Sequence, residues 1–199
     1  RGIASAVHES NVPLGLANRL CLRLGARLFR GLPAQASAGG ELTGTPIRPA
    51  LWKRGEARQA RRTLGLQEER PTILAFGGSQ GAQGINRLVP EALSLCAARA
   101  GIQVLHLSGS NEAEEVRVAY AKAGVNAVVL PYLDSMESAY AAADLVVCRS
   151  GASTLAELAC QRKPAVLVTF PHSAAGHQEY KARLLERCGA AVVVLEGSP

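Results

Sequence analysis

The stretch Thr72-Ile73-Leu74-Ala75-Phe76, followed at once by Gly77-Gly78-Ser79-Gln80-Gly81, decides the architecture. Its first five residues form a short apolar run of the kind a buried strand makes. The glycines behind it let the backbone turn tightly and bring its N–H groups close to a ligand. A helical pattern follows, so the turn ends at a helix N-terminus, which favours anions. A diphosphate suits such a loop, each charge gaining about 0.3–1 kcal/mol at an exposed helix end and up to ~2 kcal/mol where partly buried.

Outward from this unit, short β-branched runs alternate with helical patterns from Pro71 onward, as in parallel βαβ units. Strands are expected near residues 72–76, 102–107, 126–130, 144–148, 164–168 and 190–194, with helices near 84–99, 111–123, 135–142, 153–161 and 177–188. Asn111 with Glu114, Asp134 with Glu137, and Thr154 with Glu157 each set a cap residue three positions before a carboxylate, predicting helix starts. The fold class is α/β, with a doubly wound parallel sheet. Ahead of it, residues 31–46 read as a linker rich in Gly and Pro, and residues 53–62 as a short basic helix. Residues 1–30, one strand and one helix, cannot bury a core alone and read as the tail of a preceding domain. With Arg1 first and no charged-then-apolar leader, the chain is expected to begin in mid-protein.

A second loop repeats the geometry of the first. The run Asp144-Leu145-Val146-Val147-Cys148 forms a strand, and Arg149-Ser150-Gly151-Ala152-Ser153-Thr154 leads into a helix. Both loops fall at strand C-terminal ends, where open α/β sheets bind ligands. Glu157 has two readings: partner of Thr154 in a capping box, or a carboxylate accepting two hydrogen bonds from a ribose diol. Spacing favours the cap. The first loop lacks the phosphate-binding pattern with a terminal Lys and Ser/Thr, and also lacks G-x-G-x-x-G with a suitably placed acid. It does satisfy G-x-S-x-G, the nucleophile elbow of α/β-hydrolases, with Asp144 and His172 or His177 downstream. An elbow follows several earlier strands of its sheet, whereas this loop follows the first. His172 and His177, five apart, do not match helical metal-ligand spacing; a loop lining a polar ligand, with Gln178 offering donor and acceptor, fits better.

The 199 residues are 48% hydrophobic, room for one α/β domain and part of another. The longest apolar runs, such as residues 190–195, stay far below the roughly 18 residues of a bilayer-spanning helix. Five cysteines, an odd number without a C-x-x-C pair, point to reduced thiols, with Cys148 and Cys160 in apolar surroundings as small buried hydrophobes. The net charge of +6 is uneven: residues 1–62 carry +8 and the remainder −2. Arg19, Arg23 and Arg27 recur at helical spacing with Arg30 close by, beside Leu16, Leu20, Leu24 and Leu28, so that a cationic and an apolar stripe run side by side on one predicted helix. Such a face suits an anionic membrane surface or, more plainly, solvent. Only 4% aromatics and no recognition motif argue against nucleic acid.

Five motifs occur in an order that resembles the MurG family of peptidoglycan glycosyltransferases. They are His8-Glu9-Ser10-Asn11 with Gly15-Leu16-Ala17-Asn18, then Gly44-Thr45-Pro46-Ile47-Arg48-Pro49, the loop 77–82, residues 148–157, and Pro171-His172 through Gln178. The resemblance spans nearly the whole chain. It implies the GT-B fold, two Rossmann-like domains facing a cleft, with residues 1–48 the end of the acceptor- and membrane-side domain and 49–199 the domain that binds UDP-N-acetylglucosamine. It further implies that Ser79 contacts the diphosphate, that Ala152, Ser153, Thr154, Leu155 and Ala156 supply backbone contacts at a helix start, and that Glu157 holds the ribose. Leu133 matches the position reading the uracil edge, Arg48 a donor-orienting arginine, and Asn11 and Gln178 residues that contact the GlcNAc hydroxyls. The implied reaction transfers GlcNAc with inversion to undecaprenyl-diphospho-muramoylpentapeptide, without metal or other cofactor, at the cytoplasmic face of the bacterial membrane, where the enzyme is peripheral on an anionic surface. Ser10, Thr45 and Lys181 depart from the family's usual Gln, Asn and Asn. The general base is expected outside these residues. Two other readings stay open: a non-catalytic UDP-sugar-binding module that needs a partner subunit, and a GT-B-fold UDP-GlcNAc epimerase.

Overall fold

The computed structural model describes residues 2–11, 14–33, 39–78, 81–96, 101–169 and 177–197. The chain opens with a small parallel sheet: β1 (Ala6–Glu9), helix α1 (Leu16–Arg23), β2 (Arg27–Arg30) and β3 (Glu41–Leu42), in the order β1-β2-β3. A 3-10 turn (Pro49–Trp52) and α2 (Ala57–Thr63) then lead into the larger unit. Its strands are β4 (Thr72–Phe76), β5 (Gln103–Leu107), β6 (Asn126–Leu130), β7 (Leu145–Cys148), β8 (Ala165–Thr169) and β9 (Ala191–Leu195). Between them run α3 (Gln83–Leu95), α4 (Ala113–Ala123), α5 (Met136–Ala142), α6 (Ala152–Gln161) and α7 (His177–Arg187).

All six strands are parallel, in the order β6-β5-β4-β7-β8-β9. Counted from the first strand, this is the 3-2-1-4-5-6 arrangement of dinucleotide-binding sheets. Alternation along each strand feeds two cores. Leu74, Phe76, Leu105, Val146, Cys148 and Leu167 face one side, with Leu51, Tyr140, Leu155 and Leu158; Ala75, Val104, Val147 and Val168 face the other, with Ile85, Val89 and Val116. Both faces are covered, which is why these strands read as nearly continuous apolar runs.

The front third corrects the sequence expectations. The predicted long helix stops at Arg23, because Gly25 takes a left-handed conformation (φ 94°) just past the C-cap Leu24. Arg27 and Arg30 therefore lie on β2, where Leu28 is buried, and the cationic stripe shrinks to Arg19 and Arg23 on α1 beside the exposed Leu16, Leu20 and Leu24. β3 lies inside the expected linker, and the basic helix begins later, capped by Glu56, whose carboxylate accepts from the N–H groups of Arg58 and Gln59 at 3.1 and 2.7 Å. The capping boxes fail as well. The N-caps of α4, α5 and α6 are Glu112, Ser135 and Gly151, and none of them makes a side-chain cap bond.

One buried polar cluster stiffens the sheet beside the first loop. His106, fully buried on β5, contacts the Asn86 Oδ1 through Nε2 at 2.9 Å and the Tyr120 hydroxyl through Nδ1 at 2.8 Å. Asn86 donates from Nδ2 to the Ser108 carbonyl and to Glu112, so its Oδ1 accepts; Nε2 then carries the proton and Nδ1 accepts from Tyr120. Burial pushes the imidazole pKa down to about 4 from an ordinary 6.5. The unfolded chain therefore takes up a proton on falling through 6.5 while the folded chain does not. Stability is whole above 6.5 and is lost progressively down to about 4, by roughly 3 kcal/mol in total. Urea unfolding between pH 7 and 4 is expected to show this loss, and His106→Gln to flatten it.

Candidate nucleotide-binding cleft

The sheet's direction of winding reverses between β4 and β7, which pair directly with Phe76 opposite Cys148. The crevice outside the strand C-termini at such a switch is where ligands bind in this class of sheet. The loop after β4 packs against its surroundings through two glycines. A Cβ on Gly77 would lie 2.1 Å from that of Ala82, and one on Gly81 (φ 79°) 2.2 Å from the Ser108 carbonyl oxygen. A turn closes it, Gly81 N–H donating to the Gly78 carbonyl at 3.1 Å. Ser79 lies outside the described residues.

The loop after β7 delivers Gly151 in an extended conformation as the N-cap of α6. The first intrahelical bond runs from the Leu155 N–H to the Gly151 carbonyl at 2.9 Å. The N–H groups of Ala152, Ser153 and Thr154 come before it and have no acceptor in the helix. Leu155 is a core residue by its side chain, while Ala152, Thr154 and Ala156 are half-buried and Ser153 is exposed.

Beside these loops lies a cavity of about 180 Å³ lined by Arg48, Phe76, Gly78, Leu107, Pro131, Tyr132, Leu133, Met136 and Glu157. That is below the ~300–1,000 Å³ of a typical whole-ligand pocket, and suits one ring of a larger ligand. Its floor is apolar, and its charged groups are Arg48 and Glu157. Thr154 sits in the third position of α6 and is not its cap, so Glu157 has no box to complete. Instead the buried Tyr140 hydroxyl donates to Glu157 Oε2 at 2.9 Å. Burial first, and then the charge of Glu157, pushes the phenol pKa upward, and the same two causes raise the Cys148 thiol. Tyr140 stays a donor and holds the carboxylate in one orientation. Phe76 meets the Tyr140 ring edge-on, with centroids 6.2 Å apart, fixing the phenol in turn. Arg48 donates to the Asp134 carbonyl at 3.3 Å, next to Leu133.

The structure thus brings Arg48, Leu133 and Glu157 together around one cavity with Gly78. Asn11 and Gln178 lie apart from that cavity but on elements joined to each other. Gln178, in the first turn of α7, accepts from Ser150 Oγ through its backbone carbonyl at 2.8 Å, while Asn11 accepts from Lys181 of the same helix at 3.1 Å. Sequence reasoning missed Tyr140, Phe76 and Met136. Nothing in the spacing of Tyr140, 17 residues before Glu157, sets it apart from an ordinary core aromatic. The hydrolase reading fails on position: the Asp144 N–H bonds to the carbonyl of Thr72, at the start of β4, whereas the glycine loop leaves its far end. His172 and the side chain of His177 lie outside the described residues. Among those described, no three His, Cys, Asp or Glu side chains converge as a metal set.

The sequence profile of the glycosyltransferase family 28 C-terminal domain matches residues 72–198. The chain belongs to this family. Glycosyltransferase family 28 membership agrees with the curated relatives, named UDP-N-acetylglucosamine--N-acetylmuramyl-(pentapeptide) pyrophosphoryl-undecaprenol N-acetylglucosamine transferase. One from Halorhodospira halophila is 44% identical over 191 residues, covering 96% of this chain and 52% of its own length. Another, from Pseudomonas entomophila, is 41% identical over 195 residues, covering 97% and 53%. The chain spans about half the length of these relatives. The crystal structure of Acinetobacter baumannii MurG superposes with a TM-score of 0.79 at 29% identity, over 98% of this chain and 54% of that one. The family 28 domain here is therefore the C-terminal, Rossmann-like unit of a GT-B architecture, as the sequence motifs implied.

Proposed function

We propose that this chain carries the donor side of an enzyme that transfers N-acetylglucosamine from UDP-GlcNAc to undecaprenyl-diphospho-muramoylpentapeptide. The observation that carries the reading is the cavity at the switch point, where Glu157, oriented by Tyr140, lies beside two amide-bearing loops. In this reading residues 1–48 end the acceptor- and membrane-side domain and 49–199 bind the donor. The uracil ring enters the apolar cavity against Leu133, and Glu157 accepts both ribose hydroxyls. The diphosphate lies across the loop holding Ser79 and the N–H groups of residues 152–154, near Arg48. The muramoyl 4-hydroxyl attacks the anomeric carbon opposite the departing UDP, and the loop and helix-end donors stabilise the charge that grows on the leaving diphosphate. One such donor is worth about 2.7–4 kcal/mol in comparable sites. Arg19 and Arg23, beside the exposed leucines of α1, face the anionic cytoplasmic leaflet, where the enzyme sits peripherally. No helix among the described residues is long and apolar enough to cross a membrane.

Calorimetric titration of the chain with UDP, UDP-GlcNAc and UDP-glucose tests this. UDP is expected to bind, and UDP-GlcNAc to bind more tightly than UDP-glucose. Absence of UDP binding would overturn the reading, and a GlcNAc epimer formed without acceptor would favour an epimerase.

A further inference from the structure

Behind the two amide-bearing loops, the strand ends are joined by an ion pair. Arg149, the first residue after β7, and Glu196, the first after β9, meet through Nη2 and Oε2. With side chains 11% and 28% exposed, they are the most enclosed ion pair among the described residues. Arg149 lies two residues past Val147 and so emerges on the face that packs against α3. Its Nη1 donates to the Val168 carbonyl at 3.2 Å, which lays the guanidinium against β8. Glu196 is set by its own backbone, whose N–H donates to the Thr169 carbonyl at 2.8 Å and continues the β8–β9 ladder by one residue. The carboxylate then fills the space over Gly84, the second residue of α3, where a Cβ would collide with Oε1, Oε2 and Cδ of Glu196. A carboxylate in the first turn of a helix is favourable. Arg149 opens the loop after β7, whose next residue, the fully buried Ser150, bonds the Gln178 carbonyl at 2.8 Å. Gly84 follows the loop after β4, so one pair of charges reaches both arms of the cleft. Each member holds the other, because either alone would be an uncompensated charge largely out of water.

We infer that Arg149 and Glu196 are positioning residues for the diphosphate: their ion pair, seated on Gly84, fixes the distance between the amides of the loop after β4 and those at the start of α6. This rests on the donor-site reading above and adds what sets the spacing of its two loops. The pair is outside the lining of the ring-sized cavity and acts through the loops it joins. Gly84 is part of the device, because a larger residue pushes the carboxylate off the helix and away from Arg149. Charge alone has the opposite sign: Glu196 is an anion beside a site for anions, and on that basis its removal strengthens UDP binding.

Titration of the chain, E196A, G84A and the double variant with UDP, and with uridine, which lacks the diphosphate, tests the pairing. E196A is expected to bind UDP about tenfold more weakly while binding uridine as the parent chain does. G84A keeps both charges and replaces a helical glycine by a better helix former. It is expected to show the same selective loss, and it decides the matter should E196A fail to fold. Because Gly84 acts through the Glu196 side chain, the double variant is expected to bind UDP no more weakly than E196A. UDP binding by either single variant equal to or tighter than that of the parent, losses of equal size for UDP and uridine, or losses that add in the double variant would overturn the inference. In each of these outcomes the parent still binds UDP more tightly than uridine, and the donor site stands. A parent chain that binds neither, or gains nothing from the diphosphate, overturns the donor-site reading itself.

Discussion

Glu157→Ala is expected to weaken UDP binding about 10- to 100-fold. A carboxylate that accepts hydrogen bonds from a ribose diol contributes about 1.5–3 kcal/mol through charge-assisted bonds, and each 1.4 kcal/mol is tenfold in affinity. The same substitution strips the buried Tyr140 hydroxyl of its acceptor, an unsatisfied group worth about 1–3 kcal/mol of stability. Affinity and melting temperature therefore fall together in this variant, and a second one separates them. Glu157→Gln keeps an amide oxygen for Tyr140 but loses the charge. It should melt near the parent temperature while binding UDP roughly tenfold more weakly. Titration calorimetry beside thermal unfolding reads both. Parent-like affinity in the two variants would remove Glu157 from the ribose site and leave it as the hydrogen-bond partner of a core tyrosine.

The sheet was legible because parallel strands covered on both faces are written as apolar runs, and the runs at residues 72–76 and 126–130 coincide with β4 and β6. Helix starts were not, since the cap is set by where the chain leaves the sheet. Gly151 takes the cap of α6 because the backbone is still extended there, and Thr154, with the better capping side chain, is carried into the first turn. In the front third, helical spacing of Arg and Leu continued across Gly25, and periodicity alone could not report that a left-handed glycine ended the helix and turned residues 27–30 into a strand. The cleft was legible as two loops, because glycines after a strand advertise backbone approach. Its apolar floor was not. Phe76 on β4 and Met136 on α5 line it, with Tyr140 of the same helix bonded to Glu157 behind the wall, and only the strand order brings the two elements together.

Gly81→Ala is expected to cost about 2–5 kcal/mol and to abolish tight UDP binding. Two penalties coincide at this position. At φ 79° a side chain is disfavoured by about 1–2 kcal/mol. In addition, the new methyl would stand 2.2 Å from the Ser108 carbonyl oxygen and 3.2 Å from the Gly109 Cα, backbone atoms that cannot swing aside, and forced repacking of that kind adds about 1–3 kcal/mol. The sum is a large part of the ~5–15 kcal/mol that holds a domain together, and corresponds to a melting temperature lower by roughly 4–20 °C. Gly65→Ala is the control. Its φ of 73° imposes the same backbone strain, but nothing lies within 4 Å of the added carbon, so it should lose only the first penalty and keep UDP affinity. The difference between the two variants measures how tightly the loop after β4 is wedged against the end of β5. If Gly81→Ala melts with Gly65→Ala and binds UDP like the parent chain, the loop is free to relax, and its amides are not held in place for a diphosphate.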